Sequence, residues 1–366
     1  MTQGVPQQRL GDLFTFKNGR AFKKEEWSAS GLPIIRIQNL NSPVAAYNFF
    51  DGNYSNDILV KKGDLLFSWS GTIGSSFGPH VWDREPGLLN QHIFKVGHKS
   101  EIEKRYALHA LRFITAEIEK NVSGAVGLVH ITKERLNELL IPVPPIAEQR
   151  RIVVLLDEAF AGIATAKANA EKSLRNADEL FGDLRLAAFD TPGWDEKPFE
   201  DCIEDVTYTN KIQRKNFLDE GEYPVISQEE AFINGYWNGA ADVFRVDRPL
   251  LLFGDHTKAL KYVDFDFVLG ADGVKILKPK LFLHPRFFYH QLRTAKLDSL
   301  GYARHYKLLK ELVIRYPSQS EQQRIATELD SADEQAEHLE SIYTRKLAAL
   351  DELKQSLLQR AFSGQL

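Results

Sequence analysis

Two rhythms of apolar positions alternate along this chain. From Ile152, apolar or small residues recur every seven positions as Ile152, Ala159, Ala166, Ser173, Leu180 and Ala187, interleaved with Leu156, Ile163, Ala170, Ala177 and Leu184. A second stretch runs Ile325, Ala332, Leu339, Lys346, Leu353 and Arg360, with Leu329, Ala336, Tyr343, Leu350 and Leu357. A 3–4 spacing held over about five heptads predicts a coiled-coil helix in each stretch. Elsewhere, short apolar runs end at glycine turns, which predicts mixed α/β parts at 1–141 and 192–314. Residues 32–37 and 222–227 read as equivalent strands, as do 62–68 and 248–253. Helical patterns at 131–140 and 306–313 lead towards the long helices. Pro142-Val143-Pro144-Pro145 predicts a stiff extended linker, since proline continues neither a helix nor a central strand. Tyr316-Pro317-Ser318 is its counterpart, and Asp190-Thr191-Pro192-Gly193 breaks the first long helix.

The rhythms belong to a repeat. Glu148-Gln149-Arg150-Arg151-Ile152 returns as Glu321-Gln322-Gln323-Arg324-Ile325, a shift of 173. The same shift carries Pro144 to Pro317, Leu156 to Leu329, Asp157 to Asp330, Leu180 to Leu353, Leu184 to Leu357 and Ala188-Phe189 to Ala361-Phe362 without a gap. Two copies of one unit, globular part then helix, follow. Small Ala166, Ala170, Ser173 and Ala177 on one helix answer Leu339, Tyr343, Lys346 and Leu350 on the other. An intramolecular antiparallel pair is therefore expected, with homodimerisation through the helices as the alternative. A helix of about 40 residues spans on the order of 60 Å, enough to hold two globular parts well apart.

Composition narrows the class. A length of 366 residues exceeds one ordinary domain. With 43% hydrophobic and 11% aromatic residues, the chain is not disordered. No apolar run reaches the ~18 residues of a membrane span, and the first residues do not read as a signal peptide. The single cysteine, Cys202, excludes an internal disulfide framework and a cysteine zinc cluster, suits a reducing cytoplasm, and is expected to be a buried small side chain. Net charge is −4, divided as +3 over 1–145, −2 over 146–191, −1 over 192–318 and −4 over 319–366. A protein neutralising phosphates unaided should be more basic, so any DNA reading would be local, with something else supplying much of the backbone neutralisation.

The segment Ile141-Pro142-Val143-Pro144-Pro145-Ile146-Ala147-Glu148-Gln149-Arg150-Arg151-Ile152 resembles the start of the spacer helix in type I restriction–modification specificity subunits. The C-terminal Leu357-Leu358-Gln359-Arg360-Ala361-Phe362-Ser363-Gly364-Gln365-Leu366 resembles the end of the second spacer. Leu10-Gly11-Asp12-Leu13, Gly63-Asp64-Leu65-Leu66-Phe67-Ser68 and Ser70-Gly71-Thr72-Ile73-Gly74 add to the likeness, which spans nearly the whole chain. Arg315-Tyr316-Pro317-Ser318 departs from the proline-rich pattern at the second linker.

The resemblance implies an α+β fold with two mixed α/β target-recognition domains, 1–145 and 191–318. They are separated by two long helices, 146–190 and 319–366, that form an intramolecular antiparallel coiled coil with a pseudo-twofold internal repeat. It implies a non-catalytic, cytoplasmic subunit that reads a bipartite double-stranded DNA target, one half per domain. The helices would set the spacer and dock two adenine methyltransferase subunits, and restriction/translocase subunits would complete the assembly.

The motif content of the chain agrees with that role. The glycine-rich cofactor turn and Asn-Pro-Pro-Tyr-like loop of an adenine methyltransferase are absent, as is a Walker motif. Asp264, Asp266 and Lys275 could be strung into a nuclease set, but Asp264-Phe265-Asp266-Phe267 reads better as a half-exposed strand. No metal-ligand spacing recurs among the ten histidines, and no cofactor is expected. Base reading calls for Arg or Lys at guanine, Asn or Gln at adenine, and Ser, Thr or His as adaptable partners. In the first part the candidates are Lys17, Asn18, Arg20, Lys23, Lys24, Arg36, Gln38, Asn39, Ser68, Ser70, Thr72 and the stretch from Ser123-Gly124-Ala125-Val126-Gly127 to His130. In the second they are Asn210, Lys211, Gln213, Arg214, Lys215, Ser227, Gln228, His256, Thr257, Lys258 and Gly301-Tyr302-Ala303-Arg304-His305-Tyr306-Lys307. The competing class is a coiled-coil tether whose ends bind protein partners without DNA specificity, and the acidic helices suit it. A specificity half of a fused enzyme is not expected, because no catalytic motif precedes residue 1 or follows Leu366.

Overall fold

Strands Leu65–Ser68 and Leu250–Gly254 are apolar at consecutive positions because both faces of each are covered. Leu65 and Phe67 enter one core while Leu66 enters another, and Leu251 and Phe253 part from Leu250 and Leu252 in the same way. The computed structural model describes residues 5–72, 74–122, 128–298 and 304–366. Ile73 of the family-like segment and the expected candidates at 123–127 and 301–303 lie outside the described residues. Two units result, Met1–Ala170 with Arg345–Leu366 (unit 1) and Glu171–Thr344 (unit 2).

In unit 1 an antiparallel sheet runs in the order Phe14–Asn18, Ile93–His98, Leu65–Ser68, Gly78–Val81. A mixed sheet runs Asn48–Phe50, Leu32–Ile35, Gly87–Leu89, Leu59–Val60, with its central pair parallel. Unit 2 has a similar first sheet in the order Ile203–Glu204, Val274–Pro279, Leu250–Gly254, Leu260–Val263. Its mixed sheet runs Lys211–Ile212, Phe267–Gly270, Tyr223–Ile226, Gly235–Trp237, with Val243–Phe244 also on Phe267–Gly270. Cys202 is buried in unit 2, and burial pushes its thiol up to about 11.

Two local expectations change. The pattern at 131–140 is a helix only over Lys133–Glu138, capped by the Thr132 hydroxyl. Leu140–Pro142 then pairs with Gln7–Arg9, so the proline linker begins inside a two-stranded ladder. Pro142 is tolerated because it ends that ladder, where a missing N–H costs little. Val313–Tyr316 pairs likewise with Asp195–Pro198. The anticipated strand at Asp264 starts only at Phe267, because Asp266 instead accepts the Val246 N–H at 2.8 Å and pairs with Arg245 at 2.7 Å.

The long helices are Ile146–Phe189 and Gln319–Phe362. In unit 1, Ile152, Val153 and Leu156 share a core with Leu358, Ala361 and Phe362, and Lys167 pairs with Asp351 at 2.8 Å. In unit 2, Phe189 shares a core with Ile325, Ala326 and Leu329, and Arg185 pairs with Asp333 at 2.7 Å. The seven-residue rule fails towards the far end of each helix. Leu180 is 65% exposed, Leu184 48% and Leu353 47%, and Ala187, Lys346 and Arg360 are exposed as well. Half-buried Phe181, Arg185 and Leu347 take over, each one place along. A straight helix drifts about 20° per heptad, so five heptads move the inward face by about one residue.

A joint fastens each globular part to the helices. Gln149 is buried; its amide donates to Pro144 O and its oxygen accepts the Glu103 N–H, both at 2.8 Å. Gln322 does the same with Pro317 O at 2.9 Å and the His284 N–H at 2.7 Å. Helix Lys104–Val122 presents Arg105 and His109 to Asp157 at 2.7 and 3.0 Å. Helix Pro285–Thr294 presents Arg286 and His290 to Asp330 at 3.0 and 2.7 Å. Burial holds both imidazoles below their usual value, against the opposing pull of Asp157 and Asp330. Among the described residues, no helix is long and apolar enough to cross a membrane.

Candidate nucleic-acid interface

In unit 1 the polar candidates fall into three neighbourhoods. Lys17 pairs with Asp57 at 2.5 Å, while Lys23 and Lys24 are exposed around a short 3-10 turn. Arg20 pairs with Glu26 and lies over Phe22 and Phe50 at 4.8 and 4.9 Å, so its guanidinium is partly spent. Arg36 stands over Trp27 at 5.8 Å, and exposed Gln38 donates to Ala46 O at 3.1 Å. Around Trp69 the fold gathers residues distant in sequence. Its indole N–H donates to Asn18 at 3.1 Å, and His92, His130 and Phe94 lie 4.8, 4.7 and 5.7 Å from its ring. Thr72 is exposed on the strand Ser70–Thr72, which pairs with Leu128–His130.

In unit 2, Ser227, Gln228, His256, Thr257, Lys258, Arg304 and His305 converge. The Thr257 hydroxyl donates to Gln228 O at 2.5 Å, and Gln228 accepts the His256 N–H at 3.3 Å. Lys258 has φ of 63° and donates to Leu297 O at 3.3 Å. Beneath them, buried Lys261 donates to Ser227 O at 2.9 Å and Ala231 O at 2.5 Å. Burial lowers its ammonium below the usual lysine value. Asp255, 1% exposed, accepts the Tyr306 N–H at 2.8 Å. Arg214 reaches Glu229 at 3.8 Å, Asn210 donates to Asp242 at 2.8 Å, and Lys211 lies 5.1 Å from the Tyr208 ring. Lys215 and Lys307 are exposed.

Five expectations of an exposed polar side chain are corrected. Asn39 is buried, accepting the Arg36 N–H at 3.0 Å and donating to Ala45 O at 3.2 Å, because it closes the turn after Leu32–Ile35. Ser68 is buried and donates to Ser70 O at 2.9 Å, with Ser70 buried too. Ser227 is buried with its carbonyl accepting from Lys261 at 2.9 Å, and His305 is buried with Nδ1 3.0 Å from Asp255 O. Trp69, His92, Asp255 and Lys261 were missed. Trp69 had a weak signal in its place between Ser68 and Ser70; the others had none, since carbonyl collars and backbone frames leave no spacing. No group of three or more His, Cys, Asp or Glu able to hold a metal occurs among the described residues.

Residues 4–174 match the family model of the type I restriction modification DNA specificity domain. The EcoBI specificity subunit of Escherichia coli is 31% identical over 167 residues, 44% of this chain and 34% of that protein. The putative MjaX specificity subunit of Methanocaldococcus jannaschii is 22% identical over 396 aligned positions, 97% of this chain and 91% of that protein. The chain spans about a third of the length of several curated relatives it matches, the EcoBI subunit among them. A chain from a structure titled for complex assembly and conformational transition of the type I R-M system has a TM-score of 0.80 at 17% identity, covering 100% of this chain and 99% of that one. The HsdS subunit from Thermoanaerobacter tengcongensis has a TM-score of 0.58 at 18% identity, covering 100% and 98%. At those identities the structures speak for the fold alone, and it is residues 4–174 that carry the match to the type I restriction modification DNA specificity domain.

Proposed function

We propose that the chain is the non-catalytic DNA-specificity subunit of a type I restriction–modification complex. Residues 1–145 and 191–318 act as two target-recognition domains, each reading one half of a bipartite duplex target. Residues 146–190 and 319–366 pair antiparallel within the chain, set the spacer, and dock two adenine methyltransferase subunits. Restriction/translocase subunits join the full complex. The observation that carries this reading is the joint, repeated with matching atoms at Gln149 and Gln322 and at Asp157 and Asp330. One scaffold used twice fits one task performed twice. Antiparallel pairing is supported by the ion pairs, since eighteen residues forward from Lys167 to Arg185 match eighteen back from Asp351 to Asp333.

The test is methylation of a randomised duplex library by the chain co-purified with its adenine methyltransferase subunit, with S-adenosylmethionine supplied. Two unlike half-sites at a fixed spacing are expected from the complex, and neither methylation nor tight DNA binding from the chain alone. Methylation by the isolated chain, or modification by the complex without sequence preference, would sink the proposal.

A further inference from the structure

One loop frame occurs in both units with opposite chemistry in it. Strand Leu65–Ser68 runs out at Trp69, whose N–H donates to His92 O at 3.1 Å and whose carbonyl accepts the Ile131 N–H at 3.0 Å. Strand Leu250–Gly254 runs out at Asp255, whose N–H donates to Gly273 O and whose carbonyl accepts the His305 N–H, both at 2.7 Å. Ladder registers agree, because Ser68 faces Ile93 as Gly254 faces Val274. His92 and Gly273, one residue earlier, have φ of 74° and 80°. Trp69 therefore corresponds to Asp255, His92 to Gly273, Phe94 to Lys275 and His130 to Arg304.

At those four positions the side chains share nothing. Unit 1 places aromatic rings together, and it keeps His92 in a left-handed conformation that glycine adopts freely, a strain that structure alone does not require. Unit 2 removes the rings and installs charge. Asp255 is buried with one oxygen on the Tyr306 N–H, and its other oxygen lies 3.9 Å from Nε of Arg304. The Arg304 side chain is 76% exposed. Lys275 stands 5.3 Å from the Tyr306 ring. A frame needed only for folding gives no reason to exchange aromatic for ionic chemistry while its backbone hydrogen bonds stay fixed.

We infer that this frame is the base-reading position of each unit, that Arg304 reads a guanine in the second half-site, and that Asp255 is the residue positioning it. The inference rests on the reading that each unit contacts one half-site. Guanine offers O6 and N7 to a forked cation, and the fork discriminates only when its plane is held. Asp255 engages Arg304 from the Nε side, which leaves the terminal nitrogens for a base edge. In unit 1 the same position offers rings without a fixed cation, suited to apolar contact with a thymine methyl.

The experiment compares the co-purified methyltransferase complex carrying wild-type chain, Asp255→Asn, Arg304→Lys or Trp69→Phe in the randomised-duplex selection, with melting measured alongside. Asparagine still accepts the Tyr306 N–H, so Asp255→Asn should melt like wild type. Wild type should prefer guanine at one position of the second half-site by ~10-fold or more. Asp255→Asn should bring that position close to parity and Arg304→Lys, which loses the planar fork, should weaken the preference; both should leave the first half-site intact, while Trp69→Phe alters only the first. A guanine preference untouched by Asp255→Asn, or equal weakening of both half-sites, overturns the inference. Absence of any preference in the wild-type complex overturns the two-domain reading as well, a result distinct from a preference insensitive to these variants.

Discussion

Gln149→Ala should be among the most costly single truncations in unit 1, although no charge or large apolar group is lost. The side chain is 1% exposed and satisfies two backbone groups at the joint, Pro144 O and the Glu103 N–H, each at 2.8 Å. Truncation orphans both in a site where water has little access, and each orphaned buried group costs about 1–3 kcal/mol. Partial relaxation of the linker sets the expected loss at about 2–4 kcal/mol, or roughly 5–15 °C of melting temperature for a unit of this size. Gln322→Ala should cost at least as much, because Gln322 also donates to Phe282 O at 3.0 Å. Arg150→Ala, one residue on from Gln149 and exposed, is the matched control and should change stability by less than about 0.5 kcal/mol. Urea unfolding followed by circular dichroism reads all three. If Gln149→Ala and Arg150→Ala were equally mild, the Gln149 amide would be decorating the joint rather than holding it.

Other outcomes follow from the same packing. His109 and His290 are held below the ordinary value of 6.5 chiefly by burial. On acidification the unfolded chain therefore takes up protons first, so their contribution is complete above about pH 6.5 and is lost as pH falls below it. Melting temperature should drop from pH 6.5 to 5, less steeply in a His109→Gln, His290→Gln double variant; identical slopes would refute this. Ala170→Leu, at a buried position of the first long helix, should overpack and cost about 1–3 kcal/mol, whereas half-buried Ala166 should tolerate leucine better. Leu180→Gln should be neutral within about 0.5 kcal/mol, since the inward face has drifted away from it; a loss above 2 kcal/mol would show that the seven-residue rule holds there after all.

The long helices, the proline breaks and the repeated Glu-Gln pair were legible in the sequence because each is local: periodicity, missing N–H groups and identity at a constant shift need no knowledge of what packs where. The function of the repeated glutamine was not, because its second partner is a backbone N–H just ahead of a helix, 46 residues away in unit 1 and 38 in unit 2. Arg105 and His109 share their spacing with Arg286 and His290, yet the shift of 173 misses them. Asp157 follows His109 by 48 residues, and Asp330 follows His290 by only 40. The drift of the inward face past Leu180 and Leu353 was hidden for another reason: a heptad written on paper is strictly periodic, while a helix of 3.6 residues per turn is not. Base-reading candidates were the least legible. Sequence supplies residue types with the right donors, but Asn39, Ser68, Ser227 and His305 spend theirs on the fold. Trp69 and Asp255 hold their places through backbone hydrogen bonds that any residue could make, so sequence fixed the scaffold's period while only tertiary structure decided which side chains face outward from it.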